Sequence, residues 1–190
     1  MSVVAVVILA VIVVAIAYVI MIYNNLVQVK HNVAKAWANI DVLLKQRHDE
    51  LPKLIETCKQ YMKFEQETLQ KVIDARSKVF SASESQDIRA LGPAEAGLRA
   101  SIGSLFALAE SYPDLKTNQT FLQLQGRISG LENAIADRRE FYNESVNINN
   151  VRIEQFPDTI VAGMFNFKAA QLLEFDVAEK RDVDVKELFK

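Results

Sequence analysis

The sequence predicts an all-α protein, in which one N-terminal transmembrane helix continues into an antiparallel helical bundle of three long helices plus a short C-terminal helix. An uncharged apolar run opens the chain, and apolar residues then recur at helical spacing. The 190 residues include only six glycines and four prolines, too few for the turns of a β-rich fold. We therefore divide the chain into a transmembrane anchor (1–22), a helical bundle domain (23–175) and a charged C-terminal tail (176–190).

The membrane segment is the stretch from Val3 to Ile22, which contains no charged residue. As a helix it would cover about 30 Å, the thickness of the hydrocarbon core of a bilayer. A cleaved signal peptide is the alternative, because Ala15 to Ala17 resembles a cleavage site. However, no Lys or Arg precedes the apolar run, and the run continues beyond that site. We therefore predict a permanent anchor that contacts the lipid bilayer through residues 3–22.

The charges that flank this segment predict its orientation. Lys30 and Lys35 follow it, and no acidic residue occurs before Asp41. Since positive residues are retained in the cytoplasm, we expect a single-pass protein of the cell membrane with its N-terminus outside and its C-terminal domain in the cytoplasm.

A long amphipathic helix is predicted after the anchor. Fourteen positions, here called the seam, follow alternating three- and four-residue steps, and eleven of them are apolar or aromatic. The seam consists of Val33, Trp37, Ile40, Leu44, Arg47, Leu51, Leu54, Cys58, Tyr61, Glu65, Thr68, Val72, Ala75 and Val79. Its phase continues across Pro52, so we expect Pro52 to kink the helix rather than to end it. The membrane helix should run directly into this one.

A loop is predicted from Ser81 to Gly92, with Pro93 in the first turn of a second helix that ends near Ser111. Its buried side should comprise Leu98, Ile102, Leu105, Phe106 and Ala109. A stripe of small residues lies elsewhere on its surface and comprises Ala96, Ala100, Gly103 and Ala107.

The third helix should extend from about Asn118 to Gln155. Its inward residues are predicted to be Phe121, Leu124, Ile128, Leu131, Ile135, Phe141, Tyr142 and Val146. Gly126 and Gly130 lie within it, where each costs about 1 kcal/mol of helix stability. We expect close approach of a neighbouring backbone to offset this cost.

The C-terminal part changes character. Phe156-Pro157 should end the third helix. The apolar segment Thr159 to Phe167 is too short to span a membrane, and it would either cap the bundle or lie on a partner or a lipid surface. A brief helix is expected from Lys168 to Phe175.

The composition argues against several kinds of chemistry. The net charge of −2 does not favour nucleic-acid binding, and a single cysteine excludes a cysteine-built zinc site. Gln28 and Lys45 stand three residues before His31 and His48, so the Glu-x-x-His pairs of di-iron bundles are absent. We expect Cys58 to be a buried seam residue and His48 to lie on a solvated, charged face. The prediction is no enzyme, with no catalytic, cofactor-binding or metal site and no cofactor.

Four polar residues interrupt the apolar positions of the helices: Arg47, Glu65, Asn149 and Arg152. They could form a buried polar network or binding patch. The favoured alternative is that these levels are open to water near the bundle ends. Trp37 lies too far from the anchor for the lipid interface, so it should be a core residue or contact a second subunit.

Several motifs occur in the order expected for one known family. They are Tyr23-Asn24-Asn25-Leu26-Val27, Ala36-Trp37-Ala38-Asn39-Ile40-Asp41-Val42, Lys45-Gln46-Arg47-His48-Asp49-Glu50-Leu51-Pro52, Ser111-Tyr112-Pro113-Asp114-Leu115-Lys116-Thr117-Asn118, Phe121-Leu122-Gln123-Leu124-Gln125, Leu131-Glu132-Asn133, Phe141-Tyr142-Asn143 and Ile153-Glu154-Gln155-Phe156-Pro157. In these motifs the chain resembles the LemA family of bacterial membrane-anchored proteins. The resemblance implies a single-pass protein with an N-out, C-in antiparallel helical bundle, and it implies no established enzymatic activity. The chain departs from the family pattern at Asn147 to Asn150 and in the charged tail.

The predicted function is that of a membrane-anchored structural or scaffold protein. It would act through protein–protein contacts, as a homo-oligomer and with a protein partner that the sequence does not identify. The alternative is a membrane-tethered signalling or sensor adaptor for a cytoplasmic partner, with Pro52 as its hinge. A metal-dependent hydrolase is a weaker third possibility.

Overall fold

The computed structural model describes residues 2–174, and in this part of the chain it contains six helices and no strand. The helices are α1 (Val3–Tyr61), α2 (Gln66–Glu84), α3 (Ile88–Ala109), α4 (Pro113–Lys116), α5 (Gln119–Glu154) and α6 (Asp158–Met164). The predicted all-α class is confirmed. The charged tail predicted at 176–190 lies outside the described residues.

The described residues form two compact units, to which α1 and α5 both contribute. The first unit comprises residues 2–39 and 140–172, and the second comprises residues 40–139 with 173 and 174.

The second unit is an antiparallel bundle. Ser83 in α2 donates a hydrogen bond to Asp41 in α1 (2.9 Å), and Arg76 donates one to the backbone oxygen of His48 (2.9 Å). Residue numbers thus rise along α1 as they fall along α2, so the two helices are antiparallel. Arg127 in α5 lies 2.7 Å from Glu50, and α2 packs against α3. The predicted antiparallel bundle is therefore present.

The first predicted helix is confirmed up to Tyr61 and is wrong beyond it. α1 continues through Pro52, but it ends at Tyr61, and α2 begins at Gln66. Contacts from elsewhere in the chain surround the break, since Asn118 donates to the Tyr61 hydroxyl (2.9 Å) and Tyr112 donates to Glu65 (3.2 Å). None of the seam positions is exposed. The chain therefore reverses direction while the same apolar face stays inward, so periodicity alone does not reveal the turn.

The predicted loop from Ser81 to Gly92 is also wrong over most of its length. α2 extends to Glu84, and α3 begins at Ile88. Asp87 caps α3 by accepting hydrogen bonds from the backbone of residues 89 and 90 (3.1 Å each). This cap starts the helix upstream of Pro93, which lies inside α3 rather than in its first turn.

The inward faces of α3 and α5 agree with the prediction in most positions, although Phe106 and Leu131 are half-buried. Phe141 is 58% exposed, so its predicted inward position is wrong. The expected backbone approach to Gly126 and Gly130 is also wrong, because a Cβ atom at either position would meet nothing within 4 Å. The close approach occurs instead at Gly92, where a Cβ atom would lie 2.5 Å from the backbone oxygen of Glu174.

The first unit contains the N-terminal part of α1, the C-terminal part of α5, and α6. Val161 and Ala162 of α6 are buried against Ile22 and Leu26 of α1. Thr159 to Phe167 thus packs against the end of the apolar run. The helix predicted from Lys168 is wrong, because residues 168–174 are not helical.

Side chains of α5 hold this non-helical segment. The amide group of Asn150 accepts a hydrogen bond from the backbone nitrogen of Ala170 (2.9 Å) and donates one to its oxygen (3.0 Å). The Tyr142 hydroxyl donates to the backbone oxygen of Gln171 (2.9 Å). These bonds satisfy backbone groups that a helix would otherwise pair internally.

Candidate functional site

The most deeply buried charged group of the second unit is Arg47, on the inner face of α1. Its side chain forms an ion pair and hydrogen bond with Glu95 of α3, and its Nη1 atom lies 3.9 Å from Oε1 of Glu132 in α5. Arg47 is only 2% exposed and Glu95 only 6%. The favoured expectation that Arg47 is exposed to water near a bundle end is therefore wrong. The alternative, a buried polar network, is confirmed at Arg47.

A small cavity adjoins this cluster. Arg99 and Arg139 line it together with Arg47, Glu95 and Glu132, and its volume is about 20 Å³. Such a volume accommodates about one water molecule and is too small for a substrate. The cluster therefore connects three helices rather than forming a substrate-binding pocket.

Burial is the main influence on the Glu132 carboxyl group. It raises the pKa of Glu132, and nearby Glu95 acts in the same direction, while Arg47 and Arg99 oppose the shift. Its Oε1 atom is buried and has no hydrogen-bond partner among the described residues. The neutral carboxyl group is thus favoured more in the folded chain than in the unfolded chain.

This shift predicts the effect of Glu132→Gln. Because the folded-state pKa lies above the unfolded value, the carboxyl group favours folding most below pH 4.5, and this contribution is lost as pH rises through the folded pKa. The variant should therefore gain thermal stability relative to the parent as pH increases from 4 to 8, by a few degrees in Tm. Circular dichroism melts of both proteins in detergent measure this difference.

The control is Glu110→Gln, which removes an exposed carboxylate of the same unit. Because an exposed side chain makes few contacts, this variant should melt close to the parent protein. A Glu132→Gln protein that loses stability relative to the parent towards neutral pH would contradict the assignment.

An open groove lies between α1 and α5 beside the buried Glu50 carboxylate. Oε1 of Glu50 accepts from Lys53 (3.1 Å) and Arg127 (2.7 Å), whereas Oε2 is buried without a hydrogen-bond partner in the described chain. The groove is lined by Gln46, Asp49, Glu50, Lys53, Arg127, Gly130 and Leu131. The Lys53 and Arg127 side chains are 58% and 64% exposed, so the groove presents two basic side chains beside a buried carboxylate.

Cys58 and His48 differ in how far they are withdrawn from solvent. Cys58 is buried, as predicted, and burial raises the pKa of its thiol to about 12. His48 has charged neighbours, as predicted, but it is only partly solvated, because it is half-buried and stacks on Phe80 with 4.4 Å between ring centroids. Burial and the neighbouring Arg76 lower the pKa of His48, although Asp49 and Glu84 oppose this.

No group of three or more His, Cys, Asp or Glu side chains that could hold a metal occurs within residues 2–174. Burial of the Cys58 thiol also favours its protonated form over the nucleophilic thiolate.

The other polar interruptions have partners within their own units. Asn149 is 4% exposed, so the water-open alternative is wrong for it too. Arg152 forms an ion pair with Asp158 across the α5–α6 connection (2.9 Å). Glu65 accepts a hydrogen bond from the Tyr112 hydroxyl group. Trp37 is half-buried and packs edge-to-face on Tyr142 (5.9 Å), which matches its predicted role as a core contact.

Sequence reasoning found Arg47 because it interrupts the seam, but it missed Glu95, Glu132 and Glu50. These glutamates belong to segments rich in charged and small residues. The spacing of apolar residues in such segments does not indicate which carboxylate is buried. Their role follows only from the helices that pack against them.

Comparison with known proteins agrees with the motifs. A family model described as the LemA family matches residues 36–186. The chain belongs to the LemA family. Among its relatives, Protein LemA of Metamycoplasma hominis is 30% identical over 169 residues, which is 87% of this chain and 74% of that protein. Magnetosome proteins MamQ 1 and MamQ 2 of Paramagnetospirillum magneticum are each 22% identical over 198 residues, covering 92% of this chain and 73% of theirs.

These relatives' names state no enzymatic activity. α1 is a helix long and apolar enough to cross a membrane, and it lies near the N-terminus. This LemA-family chain is therefore a membrane-associated protein, and its orientation stays a prediction.

Proposed function

We propose that this LemA-family protein is a membrane-anchored scaffold that acts through protein–protein contacts, first of all with a second copy of itself. The observation that carries the proposal is an exposed apolar surface on α5 in the first unit, here called the α5 stripe. It consists of Phe141, Ile148 and Val151, which are 58%, 49% and 51% exposed. At about 100° per residue these side chains span roughly 80° of the helix surface, an arc that also contains the exposed Glu144. The apolar side chains at both ends of this arc give the contact surface, with Glu144 at its edge towards solvent or towards a basic residue of the partner copy.

The position of the α5 stripe favours a second copy as its partner. Ile153, just beyond the stripe, packs against the cluster that contains Ile22 and Leu26, at the end of the membrane segment. Two copies anchored from the same side of one bilayer would present their stripes at the same height. A two-fold axis along the membrane normal can then pair them, and confinement to the bilayer raises their effective concentration.

The proposed topology keeps residues 3–22 in the bilayer and the helical domain in the cytoplasm. Lys30 and Lys35 are exposed just beyond the membrane segment and support this orientation. We further propose that the protein has no enzymatic activity, since its Cys58 thiol is buried and the cavity at the Arg47 cluster is too small for a substrate.

Ile148→Glu tests the scaffold proposal. A charge in the centre of the α5 stripe should abolish pairing, because a buried unpaired carboxylate is strongly unfavourable at an interface. Sedimentation of the full-length protein in detergent, over a wide concentration range, should show a dimer or larger species for the parent and a monomer for the variant.

Two control variants accompany this experiment. Ile148→Leu keeps the apolar surface and should keep the association, and Ser77→Glu adds a charge at an exposed position of α2. A parent protein that remains monomeric at every concentration, or an Ile148→Glu protein that associates like the parent, would contradict self-assembly through the stripe.

The adaptor alternative is supported by the groove beside Glu50. Pro52 adjoins it in sequence, and the groove presents the exposed side chains of Lys53 and Arg127 to an acidic surface of a partner. The sedimentation experiment separates the two functions, because an adaptor requires no self-association through the α5 stripe.

A further inference from the structure

We propose that α6 and its flanking residues form a second membrane contact, which lies in the headgroup region of the bilayer beside the end of the transmembrane segment. The surface concerned, here called the α6 surface, consists of Phe156, Ile160, Met164 and Phe165. These side chains are 78%, 55%, 72% and 52% exposed. Four neighbouring large apolar side chains facing solvent mark a surface that another phase or molecule covers.

The location of α6 identifies that phase as lipid. The opposite side of α6, formed by Val161 and Ala162, is buried against Ile22 and Leu26. Ile22 is the last residue of the predicted membrane segment that starts at Val3, and the first polar amide residues, Asn24 and Asn25, follow closely. The large apolar residues of that segment are exposed from Val3 to Met21. The packing thus places α6 at the depth where the membrane segment leaves the hydrocarbon core.

Aromatic side chains from both segments meet at this level. The Tyr23 ring lies 4.7 Å from the Phe165 ring and 5.9 Å from the Phe167 ring, measured between centroids. Tyrosine is enriched at membrane interfaces because its ring is apolar and its hydroxyl group reaches water. One continuous aromatic cluster therefore joins α1 to the α6 surface.

The charge distribution of the segment also fits the bilayer interface. Between residues 156 and 167 the only ionisable side chain is Asp158, which is 4% exposed and paired with Arg152 (2.9 Å). The α6 surface therefore enters the interface without desolvating a free charge. Lys168 follows immediately and is exposed, as is Lys30 of α1, so both can approach lipid phosphates.

A helix of seven residues cannot span the bilayer, but an amphipathic one can lie in the interface plane. Together with the span it gives the first unit two attachments to one membrane. The tilt and rotation of α1 at the surface are then fixed by the protein rather than left to the lipid.

Depth-dependent fluorescence quenching tests this proposal on the full-length protein. In the Met164→Cys variant the new thiol is labelled with an environment-sensitive fluorophore. The labelled protein is reconstituted with one copy per phosphatidylcholine nanodisc. Nitroxide-labelled lipids quench from either the headgroup end or the middle of the acyl chain. We expect at least a twofold stronger quenching by the nitroxide near the headgroup than by the one at mid-chain.

The matched control is Phe64→Cys, another strongly exposed apolar position, in the turn between α1 and α2. It should show little quenching with either lipid. The native Cys58 is buried and its pKa is raised to about 12, so the parent protein should remain unlabelled at neutral pH and verifies specificity. Ile160→Cys repeats the measurement at a second position of the α6 surface.

Quenching at residues 160 and 164 that does not exceed the Phe64 control would overturn the proposal. So would a fluorescence shift that appears only when larger nanodiscs hold two or more copies and that is insensitive to nitroxide lipids, since this would identify a second copy as the occupant. Single-copy nanodiscs keep this result independent of self-association through the α5 stripe.

Discussion

Arg47→Leu is expected to destabilise the protein by about 3–5 kcal/mol, the typical cost of removing one member of a buried ion pair. The substitution leaves Glu95 buried, without the guanidinium group that pairs with it, and removes a cation that lies 3.9 Å from Glu132. Their charges would then have to be desolvated without compensation or neutralised by protonation. Urea unfolding of the second unit, followed by circular dichroism at constant pH, measures the loss.

Two further variants show whether the loss comes from the unpaired carboxylates. Arg47→Leu combined with Glu95→Leu removes both members of the pair and should recover much of the stability, because apolar replacement of a whole buried pair is often tolerated. Lys71→Leu breaks the exposed pair with Glu67 on α2 and should change stability little. Equal losses for Arg47→Leu and Lys71→Leu would show that the Arg47 cluster is not a buried network in solution.

The fold class could be predicted because a long helix with one apolar face carries its signal in every turn. The seam remained inward throughout, and α1 runs from Val3 through Pro52 as one helix. The turn at residues 62–65 could not be predicted, since it contains neither glycine nor proline. It is held by Asn118 and Tyr112, which lie far along the chain.

The errors at the ends of other elements have a similar origin. The serine and glutamate residues around position 83 favour a loop by composition. However, the Ser83 hydroxyl group donates a hydrogen bond to Asp41, and α2 continues to Glu84. Asn150 pairs with the backbone of residue 170, and the segment around it is not helical. In each case a side chain distant in sequence decides the local backbone, so a local pattern cannot reveal it.

The candidate surfaces were only partly predictable. Thr159 to Phe167 was recognisable as an apolar segment too short to span, and the structure supplies its contact with Ile22 and Leu26. Phe141 has the spacing of a core residue, yet it faces outward. Periodicity gives the phase of a helix only within about one residue, and a phase error of this size exchanges a core position for a surface position.

Gly92→Ala should destabilise the second unit by about 1–3 kcal/mol, the usual range for overpacking a filled site. The new Cβ atom would lie 2.5 Å from the backbone oxygen of Glu174, and a backbone group cannot rotate away as a long side chain does. Relief requires moving residues 173 and 174, and this would withdraw Leu173, which is only 1% exposed. Urea unfolding measures the loss, and faster amide hydrogen exchange at residue 173 should accompany it.

Two other glycines of α3 provide controls for which the same substitution should stabilise rather than destabilise the unit. A Cβ atom at Gly97 or Gly103 of α3 would meet nothing within 4 Å, so Gly97→Ala and Gly103→Ala should stabilise the unit by up to about 1 kcal/mol each through helix propensity. The same chemical change in one helix thus separates backbone contact from propensity. If Gly92→Ala stabilises the protein as much as the other two substitutions do, residue 174 does not pack against α3, because propensity would then be the only effect of the added methyl group.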